Sequence, residues 1–160
     1  MYVMRSHAYN AHLIWDGNLG DGTASYAGYG RQYRVVIDGK PELAGSANPA
    51  FRGEGGKHDP EDLFLAAISS CHMLSYLALC ARNGVRVVAY EDRASGTLVL
   101  DASGGGKFEE VTLRPRVTIA DSDVERAAKL HDKAHELCFI ANSCSVPIRH
   151  EATIHVAGNA

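Results

Sequence analysis

Nineteen consecutive residues, Leu63 to Ala81, contain no Lys, Arg, Asp or Glu. The stretch is bounded as a helix should be. Asp59 is a good N-cap, Pro60 fits the first helical position, and Glu61 and Asp62 complement the positive end of the helix dipole. Asn83-Gly84 ends it. A helix of this length without charge is either the central helix of a globular fold or a membrane span. Ser69, Ser70, His72, Ser75 and Tyr76 interrupt its apolar character, and polar strand-like segments surround it, so a central soluble helix is expected and no membrane association. Leu63, Ala67, Ser70, Cys71, Leu74, Ala78 and Ala81 recur at helical spacing and are expected to form its packed face.

The remaining segments are shorter. With 160 residues the chain suits a single domain, 1–160. His7 to Trp15 and Arg31 to Asp38 read as strands, with Asp38-Gly39 as a hairpin turn and GNLGDGTASYAGYG as a turn-rich connection. ELAGSANPAFRGEGGKH has no periodicity and reads as a long loop of the kind that is functional or disordered. Val85 to Leu100 and Lys107 to Ile119 form an antiparallel hairpin through the glycine turn ASGGGK. A second helix starts at the DSD of 121–123 and runs to about Ser143, with Val124, Ala127, Leu130, Ala134, Leu137, Cys138 and Ala141 on its apolar side. Pro147 marks the exit, and IRHEATIHV closes the chain as a strand. Hairpin connections around two long helices imply an α+β fold with a mostly antiparallel sheet.

The net charge of -3 and the scattered sixteen basic residues exclude the basic footprint of a nucleic-acid binder. MYVMRSHAYNAHLIW lacks the apolar core of a signal peptide, so a reducing, cytoplasmic setting is expected, where cysteines serve as thiols, ligands or redox catalysts. Cys71 and Cys80 are nine residues apart on one helix and point to opposite sides; Cys138 and Cys144 also diverge. A disulfide must therefore join different helices, and the sequence permits one between Cys71 and Cys138 without showing it. Packing is the plain reading of any single cysteine. A zinc reading also exists, because His131, His135 and Cys138 share a helical face and Cys71 could be a fourth ligand. Arg52 in the glycine-rich loop reads plainly as a solvated side chain, and Glu61 as a partner of the helix dipole.

Three stretches change that balance: FRGEGG, DPEDLFLAAISSC and AHELCFIANS. They place an arginine in a loop, a cysteine ten residues after a helix-opening glutamate, and a later His-x-x-Cys. Over nearly its whole length the chain resembles the OsmC/Ohr family of cysteine-based peroxidases. It departs from the family pattern with Asp59 in place of Asn, His72 after the first cysteine and Phe139 after the second; Cys80 and Cys144 are additional. The resemblance implies an OsmC-like fold in an intertwined homodimer. It also implies reduction of organic hydroperoxides, with hydrogen peroxide a second candidate, in oxidative-stress defence. Cys71 would be the peroxidatic nucleophile. Arg52 would stabilise its thiolate and the departing oxyanion, and Glu61 would orient Arg52. Cys138 would resolve the Cys71 sulfenic acid to a disulfide. No bound cofactor is implied, but an external thiol reductant is, a role that lipoyl-type dithiols fill for some members. Ten helical residues span about 15 Å, so Glu61 cannot sit beside Cys71 of its own helix. Either Arg52 spans the gap or Glu61 comes from a second subunit. The competing function is a dimeric binder of a small hydrophobic ligand with vestigial thiols.

Overall fold

The computed structural model of the protein describes residues 5–120 and 123–158. Of the DSD start of the second helix, only Asp123 lies within them. The chain divides into two compact units, one ending at Leu63 and one beginning at Phe64.

In the first unit, β1 (His12–Trp15), β2 (Tyr33–Val36) and β3 (Leu43–Gly45) form an antiparallel sheet in that order. The first two strands are shorter than their alternation suggests, and β3 lies inside the segment expected to be a plain loop. That segment is also organised further along. Asn48 Oδ1 accepts the amide of Ala50 at 3.0 Å, opening a 3-10 turn over Pro49–Phe51. The Asn48 side-chain amide donates to Asp59 at 3.0 Å. Such side chain-to-backbone turns carry no hydrophobic period, so periodicity misses them. Among the described residues of this unit no hydrophobic side chain reaches the fully buried core. Tyr9, Leu13, Trp15, Leu19 and Tyr26 are exposed.

α1 (Pro60–Arg82) begins as expected. Asp59 Oδ1 accepts the amide of Asp62 at 2.8 Å. Its packed face differs from expectation. Ile68, His72, Tyr76 and Cys80 are the buried positions, while Ser70, Leu74, Ala78 and Ala81 are exposed. With no charge anywhere along the run, hydropathy does not single out a face, and the packing of the second unit turns Ile68, His72, Tyr76 and Cys80 inward. α1 is also, among the described residues, the one helix long and apolar enough to cross a membrane by length and composition.

In the second unit the long hairpin exists but is folded across two sheets. Its first arm breaks into β4 (Val87–Asp92) and β5 (Ser95–Leu100), its second into β6 (Gly106–Leu113) and β7 (Pro115–Ile119). β5 pairs with β6 and β4 with β7, both antiparallel. At the break, Asp92 accepts the backbone amide of Arg114 at 2.6 Å and the Ser69 hydroxyl at 2.5 Å. The terminal strand is likewise two strands. β8 (Ile148–His150) adds parallel to β6, and β9 (Thr153–Val156) adds parallel to β7. Two hydrophobic clusters result. Ile68 packs with Val111 and Leu113; Tyr76 and Cys80 pack with Val85, Val117, Ile119, Ala127 and Ala134.

α2 (Val124–Leu137) is capped by Asp123, which accepts the amide of Arg126 at 3.0 Å. It ends earlier than the periodicity suggests. Cys138 is its C-cap, with extended backbone at φ -70° and ψ 111°, and a separate 3-10 turn follows at Ala141–Ser143. Ala127, His131, Ala134 and Cys138 are buried.

Candidate functional site

α1 and α2 meet through two hydrogen bonds and a neighbouring pair of cysteines. At one end the Cys71 side chain lies near enough to Cys138 to raise its thiol, both sulfurs being free. In the middle His72 Nε2 faces His131 Nδ1 at 3.0 Å. At the other end the Tyr76 hydroxyl donates to the Ala127 carbonyl at 3.0 Å.

The two thiols differ. Cys71 is half-buried, whereas Cys138 is 1% exposed. Burial, reinforced by the neighbouring Cys71 side chain, pushes the Cys138 thiol up to about 11. Its sulfur accepts the Ala141 amide at 3.5 Å, a contact made possible by the end of α2 at Cys138. A solvent-reachable thiol thus stands against a shielded one that stays protonated at neutral pH, an arrangement able to form a disulfide once the outer sulfur is oxidised.

The histidine pair is buried on both sides, His72 being 1% and His131 0% exposed. The ring planes are within 7° and the centroids 5.3 Å apart. Nitrogens 3.0 Å apart are too close for rings lying face to face, so the imidazoles meet edge to edge in a hydrogen bond. Burial, with contributions from His150 and His135, lowers His72 to about 4. Burial, with His72 and His150, lowers His131 to about 3. Both rings are therefore neutral at pH 7, and one donates to the other. Whichever way the shared proton sits, one orphan donor and one orphan acceptor remain, at His72 Nδ1 and His131 Nε2. Each unsatisfied buried group costs about 1–3 kcal/mol. Tyr76 stacks on His131 with centroids 3.7 Å apart and planes within 9°. His150 of β8 leans over the pair, 5.6 Å from His72 and 5.8 Å from His131, and its Nε2 meets Asp132 Oδ1 at 3.2 Å.

The zinc reading of His131, His135, Cys138 and Cys71 finds no support in this arrangement. Among the described residues no group of three or more His, Cys, Asp or Glu side chains is placed to hold a metal ion, and His131 is committed to His72. Cys80 is a packing residue of the core around Tyr76, its thiol raised by burial. Cys144 is half-buried, its thiol turned to the Ala141 carbonyl at 3.6 Å.

Arg52 and Glu61 belong to the first unit. Arg52 is exposed and closes the 3-10 turn in the left-handed conformation, φ 65°. Gly53 follows for steric reasons, because a Cβ there would lie 1.5 Å from the Ala47 carbonyl oxygen. Glu61 is half-buried at the start of α1, close to Asp59. Asp59 is held below the usual carboxylate range, first by the Asp62 amide acting against the cost of burial. Among the described residues no ion pair joins Arg52 to Glu61. Of the four residues singled out from the sequence, the structure brings Cys71 and Cys138 together. His72 and His150 were not singled out. The sequence signal for His72 was its position four residues from both Ile68 and Tyr76, on a stripe of larger side chains.

Comparison with known proteins agrees with this architecture. The model of the OsmC-like protein family matches residues 53–152. An OsmC-like protein of unknown function from Vibrio cholerae superposes with a TM-score of 0.82 at 30% identity, over 92% of this chain and 100% of that one. The organic hydroperoxide resistance protein OhrB of Bacillus subtilis shares the fold at 21% identity and a TM-score of 0.63, over 92% and 98% of the two chains. The uncharacterized protein YmaD of Bacillus subtilis is 25% identical over 161 residues, covering 97% of this chain and 99% of its own. With a family model spanning more than half its length, the chain belongs to the OsmC-like protein family.

Proposed function

We propose that the protein is a thiol-dependent peroxidase that reduces organic hydroperoxides, with Cys71 as nucleophile and Cys138 as resolving thiol. The observation that carries this reading is a half-buried free thiol placed near a buried free thiol, the first on α1 and the second at the end of α2. The Cys71 thiolate attacks the distal oxygen of the hydroperoxide. The O–O bond breaks, the alkoxide leaves and takes up a proton as the alcohol, and Cys71 becomes a sulfenic acid. The Cys138 sulfur then attacks the Cys71 sulfur. Its thiol proton joins the departing hydroxyl as water, and the disulfide closes. A dithiol reductant returns both sulfurs to thiols by exchange. Arg52 is assigned to the thiolate and the leaving oxyanion, and Glu61 to orienting the Arg52 guanidinium. The name of the Bacillus subtilis relative, organic hydroperoxide resistance protein, supports the substrate class.

The acting form is a homodimer in the reducing cytoplasm. The exposed apolar side chains of the first unit, Leu13, Trp15, Leu19 and Tyr26, and the exposed, charge-free face of α1 with Leu74 favour a second copy as cover. Counting free thiols by alkylation and intact mass, before and after one equivalent of cumene hydroperoxide, tests the chemistry. Loss of two thiols mapping to Cys71 and Cys138 is expected. The variant C138S should stop at a dimedone-reactive Cys71, and C71S should lose nothing. Retention of all four thiols in the wild-type protein would sink the peroxidase reading.

A further inference from the structure

The helices that carry the two thiols are joined in the core by a contact that sulfur chemistry does not use, the hydrogen bond between His72 and His131. His72 follows Cys71 directly. His131 precedes Cys138 by seven residues, two turns along the same face of α2. Resting on the peroxidase reading, we infer that this pair is a positioning device for the second half of the reaction: it holds α2 against α1 in the register at which the Cys138 thiol meets Cys71.

Three features support that role. The first is that the other fully buried side chains of α2 are Ala127 and Ala134, too small to lock one register by shape, with Leu130 only partly buried against the core. An edge-to-edge hydrogen bond of 3.0 Å is directional, and a slide of one element past the other breaks it. The second is that the pair is a poor device for stability alone. It leaves His72 Nδ1 and His131 Nε2 without partners, where two aliphatic side chains would leave none. Fixing register is the best attested use of a buried polar contact that costs stability. The third is that His131 is held from its other side. The Tyr76 ring stacks on it at 3.7 Å, and Tyr76 is itself tied to α2 through the Ala127 carbonyl. The plane of the His131 ring is therefore held from that side, with Nδ1 facing His72 of α1.

The test separates register from stability. In the double variant His72→Leu with His131→Leu both polar partners are replaced at once, a change that leaves no orphan and is close to neutral for folding. In the double variant His72→Gln with His131→Asn a side-chain amide replaces each of the two facing nitrogens. Two rates are read in each protein: capture of the Cys71 sulfenic acid by dimedone, which follows the first step, and closure of the Cys71–Cys138 disulfide. The leucine pair should melt no lower than the wild type and keep its first-step rate, yet close the disulfide at least about tenfold more slowly, since small misplacements of reacting atoms cost that much or more. The amide pair should recover most of the closure rate. Closure at the wild-type rate in the leucine pair overturns the inference. A methionine pair at the same two positions gives the same comparison should the leucines fail to fold, because its unbranched side chains adapt to the space. Closure is also driven with diamide, which oxidises two thiols to a disulfide and is itself reduced to the hydrazine. In that arm, slow closure of the leucine pair against fast closure of the wild type upholds the register role even if cumene hydroperoxide yields no sulfenic acid, an outcome that would remove the peroxidase reading alone.

Discussion

Cys138 should be among the least reactive thiols of the folded protein until Cys71 is oxidised. Its thiol is pushed from 9.0 to about 11, first by burial and then by the Cys71 side chain. Only the thiolate reacts with iodoacetamide, and a thiol of 9 is about one part in a hundred ionised at pH 7, one of 11 about one part in ten thousand. Alkylation of Cys138 should therefore be about 100-fold slower than that of an ordinary thiol at pH 7, before any loss of access. Its rate should climb with pH toward a midpoint near 11. Isotope-coded iodoacetamide pulses across pH 6 to 10, read at the peptide containing Cys138, measure this directly. In C71S the lesser of the two upward causes is gone, so the rate should rise while staying below that of a free peptide thiol. Alkylation of Cys138 in the folded wild-type protein at the rate of a free thiol would refute the reasoning, because a shielded resolving thiol could not then be what keeps the steps in order.

Other expectations follow from single contacts. Tyr76→Phe removes a buried hydrogen bond to the Ala127 carbonyl and should cost about 1 kcal/mol in urea unfolding, whereas Tyr76→Ala opens a cavity and should cost about 3–5 kcal/mol. Asp123→Ala should destabilise by about 1 kcal/mol through loss of the α2 cap. The buried histidines lie below their unfolded value near 6.5, at about 4 and about 3, so between those limits the unfolded chain binds more protons. Stability should be complete above pH 6.5 and fall as pH drops toward 4, and the leucine pair at 72 and 131 should flatten that slope in thermal melts. Asp59, held below its usual value, adds stability that is present above its unfolded pKa and lost as pH falls through its lower folded value, so Asp59→Ala should flatten the acid limb that lies beneath the histidine slope.

The sequence made both helix starts, the end of α1 and the hairpin turn legible because those are written locally. Asp59 and Asp123 cap as expected, and Gly84 follows α1 with φ 71°. The two thiols stood out through the family resemblance, since helical spacing only permitted them to meet. What stayed hidden depends on tertiary competition. The inward face of α1 was misread because Ser70, Leu74 and Ala78 fit the helical pattern as well as Ile68, His72 and Tyr76, and only tertiary packing distinguishes them. The end of α2 at Cys138 has no glycine or proline to announce it. The contact of His72 stayed hidden because its partner lies 59 residues away.

The crease in the long hairpin has a consequence for how the second unit comes apart. One continuous ribbon supplies two strands to each of two sheets, and the carboxylate of Asp92 fastens the crease to both Arg114 and Ser69 of α1. Neither sheet can lose its hairpin strands without dragging on the other. Amides of β4–β7 and β5–β6 should therefore exchange with deuterium at a common opening free energy, as one cooperative foldon rather than two, and Asp92→Ala should lower that shared value and begin to split it.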